Sequence, residues 1–195
     1  TKASPVIVSL ERALRTVSAR MAMCNDILSH IPNKKPDQCI TSIEHTPAFL
    51  TILKKLGEGS FGNVFLGEIG SIRLAVKQGK SSKFDINHPY DNMYDSWAEI
   101  NILNKIIKPA LEGKMCPNLP LLYKDFYCPK CKFEFDDVKS SSACVINLTE
   151  LATGGDLLSL LKAKSPTDLD IYIALFQVLA GLHALQNFGV FHNDI

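Results

Sequence analysis

Nothing in these 195 residues approaches a run of 18 apolar side chains, so no segment is expected to span a bilayer. Charge of one sign is missing too. Lys and Arg number 21 against 20 Asp and Glu, and the net charge of +1 gives no electrostatic reason to invoke nucleic acid or an anionic membrane surface. There is no secretory signal pattern, and the first residue is Thr1 rather than Met. Six cysteines at irregular spacing do not make a disulfide scaffold in a chain of this length; reduced thiols fit better, and with them a cytoplasmic or nuclear setting. Asn147-Leu148-Thr149 has the wording of a glycosylation acceptor, but it lies in an apolar, strand-like run and reads as chance. What the chain does have is apolar content, 46%, ample for a packed core of one large or two small domains.

The most informative stretch is LGEGSFGNV, residues 56–64. Gly57, Gly59 and Gly62 separate one apolar run (Phe49, Leu50, Ile52, Leu53) from another (Val64, Phe65, Leu66), which reads as strand, glycine turn, strand. Glycine reaches φ > 0 without penalty and lets backbone N–H groups come close to a phosphate. The same G-x-G-x-x-G spacing serves dinucleotide-binding folds, but there the glycines open a helix and an acidic residue follows about 20 residues on. Here NVFLGEIGSIRLAVK is β-rich with a turn at residues 67–70, so a hairpin follows, ending in Lys77.

Around this centre the chain reads in order. Residues 4–30 look helical, with Ser4 as N-cap, Pro5 at the first helical position, and Val6, Leu10, Leu14, Val17 and Met21 at three- and four-residue steps. This helix is expected to pack on the following domain, the alternative being a partner-binding helix. IPNKKPDQ, residues 31–38, reads as a linker. Residues 79–92 are loop-like. A helix over 93–108 has Trp97, Ile100, Leu103, Ile106 and Ile107 on one face, carries Glu99, and is expected to end at Pro109. A strand within 119–127, an exposed connection starting at Cys128, and a buried strand in ACVINLTEL follow. Thr167 and Asp170 form a capping-box-like start to a last helix. Its Leu169, Ile173, Leu175, Phe176, Leu179, Ala180, Leu182, His183 and Leu185 suggest burial on most faces, and Gly189 suits its C-terminal cap.

The order of these pieces resembles eukaryotic-type protein kinases, whose G-x-G-x-x-G-x-V loop and V-A-I-K strand are matched except that Leu74 replaces the first valine before Ala75, Val76 and Lys77. AEINIL resembles the regulatory helix whose glutamate, here Glu99, reaches the lysine, and His192-Asn193-Asp194 resembles the catalytic H-R-D. Asn193 in place of arginine suggests regulation that does not depend on a phosphorylated activation loop. The H-N-D wording and the cysteine loop also resemble kinases of large DNA viruses. The resemblance covers about residues 50–195 and implies an α+β protein-kinase-like fold. A five-stranded antiparallel N-lobe sheet with one regulatory helix would be followed by the first helices of a truncated helical C-lobe. The implied divisions are an N-terminal helical extension and linker (1–48), the N-lobe and hinge (49–152) and the start of the C-lobe (153–195).

By resemblance, the nucleotide contacts are Leu56, Gly57, Glu58, Gly59, Ser60, Phe61, Gly62, Asn63, Val64, Ala75 and Lys77, with Thr149 guarding the pocket behind adenine. Glu150 and Ala152 bound the hinge, and Asp156 matches the acidic position near the ribose, although it also reads as an ordinary helix N-cap. Lys77, Glu99 and Asp194 are the catalytic candidates, with Asp194 accepting the proton of the substrate hydroxyl. The implied activity is phosphoryl transfer from ATP to Ser or Thr of a protein substrate. ATP and Mg2+ serve as cofactors, and the N-terminal helix is a possible partner contact. The asparagine and D-F-G that hold Mg2+ in the family are not in these 195 residues. With a start that is not Met and an end inside a motif, the chain is therefore expected to be an inactive piece of a longer kinase. A nucleotide-binding pseudokinase or scaffold is the main alternative, and a small-molecule kinase of the same fold a third. Cys128 and Cys131 leave three readings open: half of a structural zinc site, a reversible disulfide, or unligated thiols.

Overall fold

The computed structural model describes residues 17–32, 47–59, 62–79, 88, 90–131, 142–154, 156–158, 162 and 166–192. Its centre is a five-stranded antiparallel sheet of strands β1 (Thr51–Gly59), β2 (Gly62–Ile69), β3 (Ile72–Gly79), β4 (Leu122–Cys131) and β5 (Ser142–Glu150), in spatial order β1-β2-β3-β5-β4. Alternation is clear on β3, where Leu74, Val76 and Gln78 are buried while Ala75, Lys77 and Gly79 are half-buried. Gly70, at φ 60°, makes the β2–β3 turn. The sheet and its helices give the α+β class that the motif order implied.

Among the described residues four helices accompany it: α1 (Val17–His30), α2 (Asp95–Ile102), α3 (Lys108–Glu112) and α4 (Asp168–Asn187). Helices α2 and α3 are one continuous rod joined by a π-helical turn, Leu103–Ile107. Pro109 therefore does not end the helix, contrary to the sequence expectation. Proline lacks an N–H and presses on the carbonyl four residues back. The π turn shifts the ladder by one residue just before it, with the Lys108 N–H reaching Leu103 O, and helix resumes beyond. The rod stops four residues later than expected, where Lys114 adopts φ 56° while its N–H bonds Leu111 O and that of Met115 bonds Ala110 O. That is a Schellman cap with lysine in the position glycine usually takes.

The main core lies between the sheet, α1 and the α2–α3 rod. It contains Cys24 and Ile27 of α1, Ile69, Leu74, Val76, Ile146 and Leu148 of the sheet, and Leu103, Ile107 and Leu111 of the rod. The helix expected over 4–30 is described from Val17 onward, and Ser4 to Leu14 lie outside the described residues. Val17 and Met21 only flank this core. The enclosed positions are Arg20, Cys24 and Ile27, one step round the helix from the expected stripe. A second cluster joins Trp97 and Ile100 of α2 to Val145.

Helix α4 departs most from expectation. Its capping box is present as read, with Thr167 and Asp170 bonding reciprocally, and Gly189 takes φ 74° after its end. Yet Gly181 alone of its residues is buried, while Leu169, Tyr172, Phe176 and Leu179 are each more than 60% exposed. The helix touches the domain near Gly181, where an added Cβ would stand 3.3 Å from Asn118 O, and where Cys116 Sγ faces Ala180 O at 3.7 Å. Burial on most faces fails because nothing among the described residues covers them. By length and composition α4, 20 residues at mean hydropathy 1.4, is also sufficient to cross a bilayer, which the absence of an 18-residue apolar run had argued against.

Candidate functional site

Strand register assembles the site. Gly57 pairs with Val64, Val64 with Lys77, Lys77 with Asn147, and Asn147 with Asp125, a single row across all five strands. Directly opposed residues share a face, so these side chains project to one side. The neighbouring row is Leu66, Ala75, Thr149 and Leu122. Val64, Ala75, Lys77 and Thr149, read from separate motifs, thus stand together on two adjacent rows.

Helix α2 crosses this face and meets the first row twice. Lys77 Nζ donates to both carboxylate oxygens of Glu99, at 2.7 and 2.8 Å. One turn on, inside the π turn, Asn104 Nδ2 donates to Asp125 Oδ1 at 3.0 Å. The lysine and glutamate side chains are 28% and 39% exposed, so solvent screens the pair and its worth to stability is under about 1 kcal/mol. Its consequence is aim: a flexible ammonium is held at a fixed point above the sheet. The loop before α2 is tied down by buried Asn101, whose Nδ2 reaches Tyr90 O and Asn92 Oδ1, both at 2.6 Å.

The three glycines of the loop are not equivalent. Gly62 sits at φ 146°, and a Cβ there would lie 2.1 Å from the carbonyl oxygen of Gln78. Gly57 and Gly59 have nothing within 4 Å of a built Cβ. Gly62 is thus required by the hairpin itself, whereas Gly57 and Gly59 leave open space that a side chain would occupy. Leu56 is 45% exposed at the mouth, and Glu58 is ion-paired with Lys55 at 2.5 Å. Asn63, expected among the nucleotide contacts, is fully enclosed, so its side chain is withdrawn from any ligand and only its backbone can contribute. Ser60, Phe61 and Asp194 lie outside the described residues, as does Asn193; Ala152 and Asp156 are described and exposed.

Glu150, at the end of β5, is more engaged than its sequence position suggests. Its N–H donates to Leu121 O at 3.0 Å, and its Oε1 accepts from the Leu121 N–H at 2.8 Å. Arg20 of α1 grips the same carboxylate, Nε to Oε2 at 2.9 Å and Nη2 to Oε1. Nearby Tyr123 donates its hydroxyl to Met23 Sδ at 3.4 Å, and burial, then the Glu150 carboxylate, push its phenol far above the usual range. Asn104, Asp125, Asn147 and Arg20 were not singled out in the sequence, because each is an ordinary polar residue until pairing shows what it faces. Cys128 is buried directly opposite Cys144 without being disulfide-bonded to it, whereas Cys144 is disulfide-bonded, so not every thiol in the chain is reduced. Among the described residues no cluster of three or more His, Cys, Asp or Glu could hold a metal ion.

No family model matches the chain. Among curated proteins it is similar to a probable serine/threonine-protein kinase of Invertebrate iridescent virus 6, with 29% identity over 169 residues, 80% of this chain and 30% of that protein. It is also similar to a probable serine/threonine-protein kinase of Dictyostelium discoideum, with 29% identity over 166 residues, 84% of this chain and 16% of that protein. The chain therefore spans less than a third of the length of these curated relatives. Motif order, sheet and relatives point the same way: the chain is similar to probable serine/threonine-protein kinases.

Proposed function

We propose that the chain forms the nucleotide-binding part of an ATP-dependent protein kinase that phosphorylates Ser or Thr. The observation that carries this reading is the two-oxygen Lys77–Glu99 ion pair, standing in one row with Gly57 and Val64. The open space over Gly57 and Gly59 is where a phosphate would approach the backbone. In this reading Val64 and Ala75 flank the adenine, Thr149 closes the pocket behind it, residues 150–152 offer it backbone groups, and Lys77 neutralises phosphate oxygens. The γ-phosphoryl passes to the substrate hydroxyl oxygen, Asp194 takes the hydroxyl proton, and ADP leaves. Mg2+ would supply the remaining charge neutralisation. The residues present do not fit it, since the described clusters hold none and the family's asparagine and D-F-G are not among the 195, so no step is derived through the metal.

The experiment is a phosphotransfer assay with ATP, Mg2+ and a generic protein substrate. It compares the 195-residue chain with the full protein encoded by the reading frame that carries it. The short chain is expected to bind nucleotide weakly and to turn over none, because positioning without metal leaves the transition state poorly stabilised. The full protein is expected to transfer phosphate and to lose that activity by orders of magnitude in Lys77→Met and in Asp194→Asn. Unchanged turnover in Lys77→Met would overturn the reading. The exposed apolar face of α4 favours one alternative, a binding module of the same fold, and nucleotide binding with no transfer by the full protein would select it.

A further inference from the structure

We propose that Arg20 is a positioning residue for the nucleotide: through it, α1 fixes the end of β5 from which adenine would be held. The inference rests on the nucleotide-site reading above. One guanidinium, in a residue only 9% exposed, joins three separate segments. It donates to both oxygens of Glu150, to Pro117 O at 2.7 Å and to Leu119 O at 2.5 Å. Those two carbonyls belong to the turn between α3 and β4; Glu150 is the last residue of β5. Glu150 is in turn bonded to Leu121 through both its N–H and its carboxylate. The strand end is thus held at one side by backbone pairing and at the other by an arginine from a helix 130 positions away in sequence.

A partly buried ion pair is by itself weak evidence of anything beyond packing, since desolvation offsets much of its attraction. Two observations take this one further. The fork ends on the residue at which the chain leaves the sheet, immediately before half-buried Leu151 and exposed Ala152, which lie outside the strand and follow directly from its anchored end. The helix that carries Arg20 is itself set rigidly, with Cys24 and Ile27 fully buried and the His30 ring against the β2–β3 turn, 3.4 Å from a Cβ built on Gly70. Displacement of α1 would be transmitted to Glu150 through two hydrogen bonds and to the turn at Pro117 and Leu119 through two more. A lysine could not substitute, since a point ammonium cannot meet both carboxylate oxygens and two carbonyls in the same geometry.

The test uses the full protein carrying this chain, as wild type, Arg20→Ala and Arg20→Lys, with Lys77→Met as the reference for loss of transfer. Two readouts are taken well below the melting temperature. Amide hydrogen exchange at Leu121, Glu150 and Leu151 reports the clamp without reference to activity. The KM for ATP and kcat report its consequence. Both Arg20 variants are expected to speed exchange at those amides at least tenfold relative to core amides of β3. The expected KM for ATP rises about tenfold with kcat within twofold, as it would if the competent strand end fell to roughly a tenth of molecules. Unchanged exchange overturns the clamp. Faster exchange with an unchanged KM overturns the positioning role and leaves a structural contact. If even the wild type transfers no phosphate, the nucleotide-site reading fails and the proposal falls with it; the exchange data then still separate a real clamp from none.

Discussion

Gly62→Ala and Gly59→Ala, two identical changes in one motif, should have opposite outcomes. A methyl at position 62 would stand 2.1 Å from Gln78 O and 3.0 Å from the carbonyl carbon, both backbone atoms that no rotamer change can move. The φ of 146° adds a conformational cost of about 1–3 kcal/mol for a residue with a side chain. Relief requires parting the Gly62–Gly79 and Asn63–Gln78 pairs, which removes backbone hydrogen bonds at about 1 kcal/mol each. The total is about 3 kcal/mol or more, a large part of the roughly 5–15 kcal/mol that holds a domain together. At a slope of about 1–3 kcal/mol per molar urea, the unfolding midpoint should fall by at least about 1 M. Gly59→Ala meets nothing within 4 Å and should leave the midpoint nearly where it was. In the full protein it should instead weaken ATP binding, because its methyl enters the space assigned to phosphate. Urea melts followed by far-UV circular dichroism, with nucleotide titration on the folded variants, separate the two. A Gly62→Ala midpoint equal to that of the parent would refute the steric argument, and Gly59→Ala binding ATP normally would remove the phosphate from that space.

Glu99→Gln should lower phosphotransfer by the full protein at least tenfold while leaving the melting temperature nearly unchanged, because a part-exposed pair contributes under about 1 kcal/mol to folding; a large loss of stability would contradict the aiming role. Phe176→Ser with Leu179→Ser on α4 should raise the solubility of the 195-residue chain without lowering its melting temperature, since both side chains are exposed; reduced solubility or melting would mean that they are covered. Alkaline stability should fall as pH rises above the ordinary cysteine value of 9.0 and then the tyrosine value of 10.0. Burial raises the folded-state pKa of Cys24 and Tyr123, so their contribution is complete below the unfolded values and is lost as pH climbs toward the folded ones. Cys24→Ala combined with Tyr123→Phe should flatten that decline, and an undiminished slope would place its origin elsewhere.

The sequence by itself determined the things that depend on local chemistry and order. Turn glycines, apolar alternation and the lysine after a hairpin were enough for three strands, and Thr167 with Asp170 for the start of α4, because each is a contact among residues a few positions apart. The order of the motifs was enough for the resemblance to protein kinases, and so for the expectation that Lys77 meets Glu99, 22 residues away. The tertiary structure alone decided what depends on which surfaces are brought together. It separated Gly62, required by Gln78 O across the ladder, from Gly57 and Gly59, which are open. It turned Asn63 inward and carried the helix through Pro109 by a π turn. Among the described residues it left α4 uncovered, since apolar periodicity states that a face can be buried but not that anything stands opposite it. It also joined Arg20 to Glu150, for which no pattern exists: a charge is solvated by default, and only packing across 130 positions withdraws Arg20 from water and sets the partly exposed Glu150 to answer it.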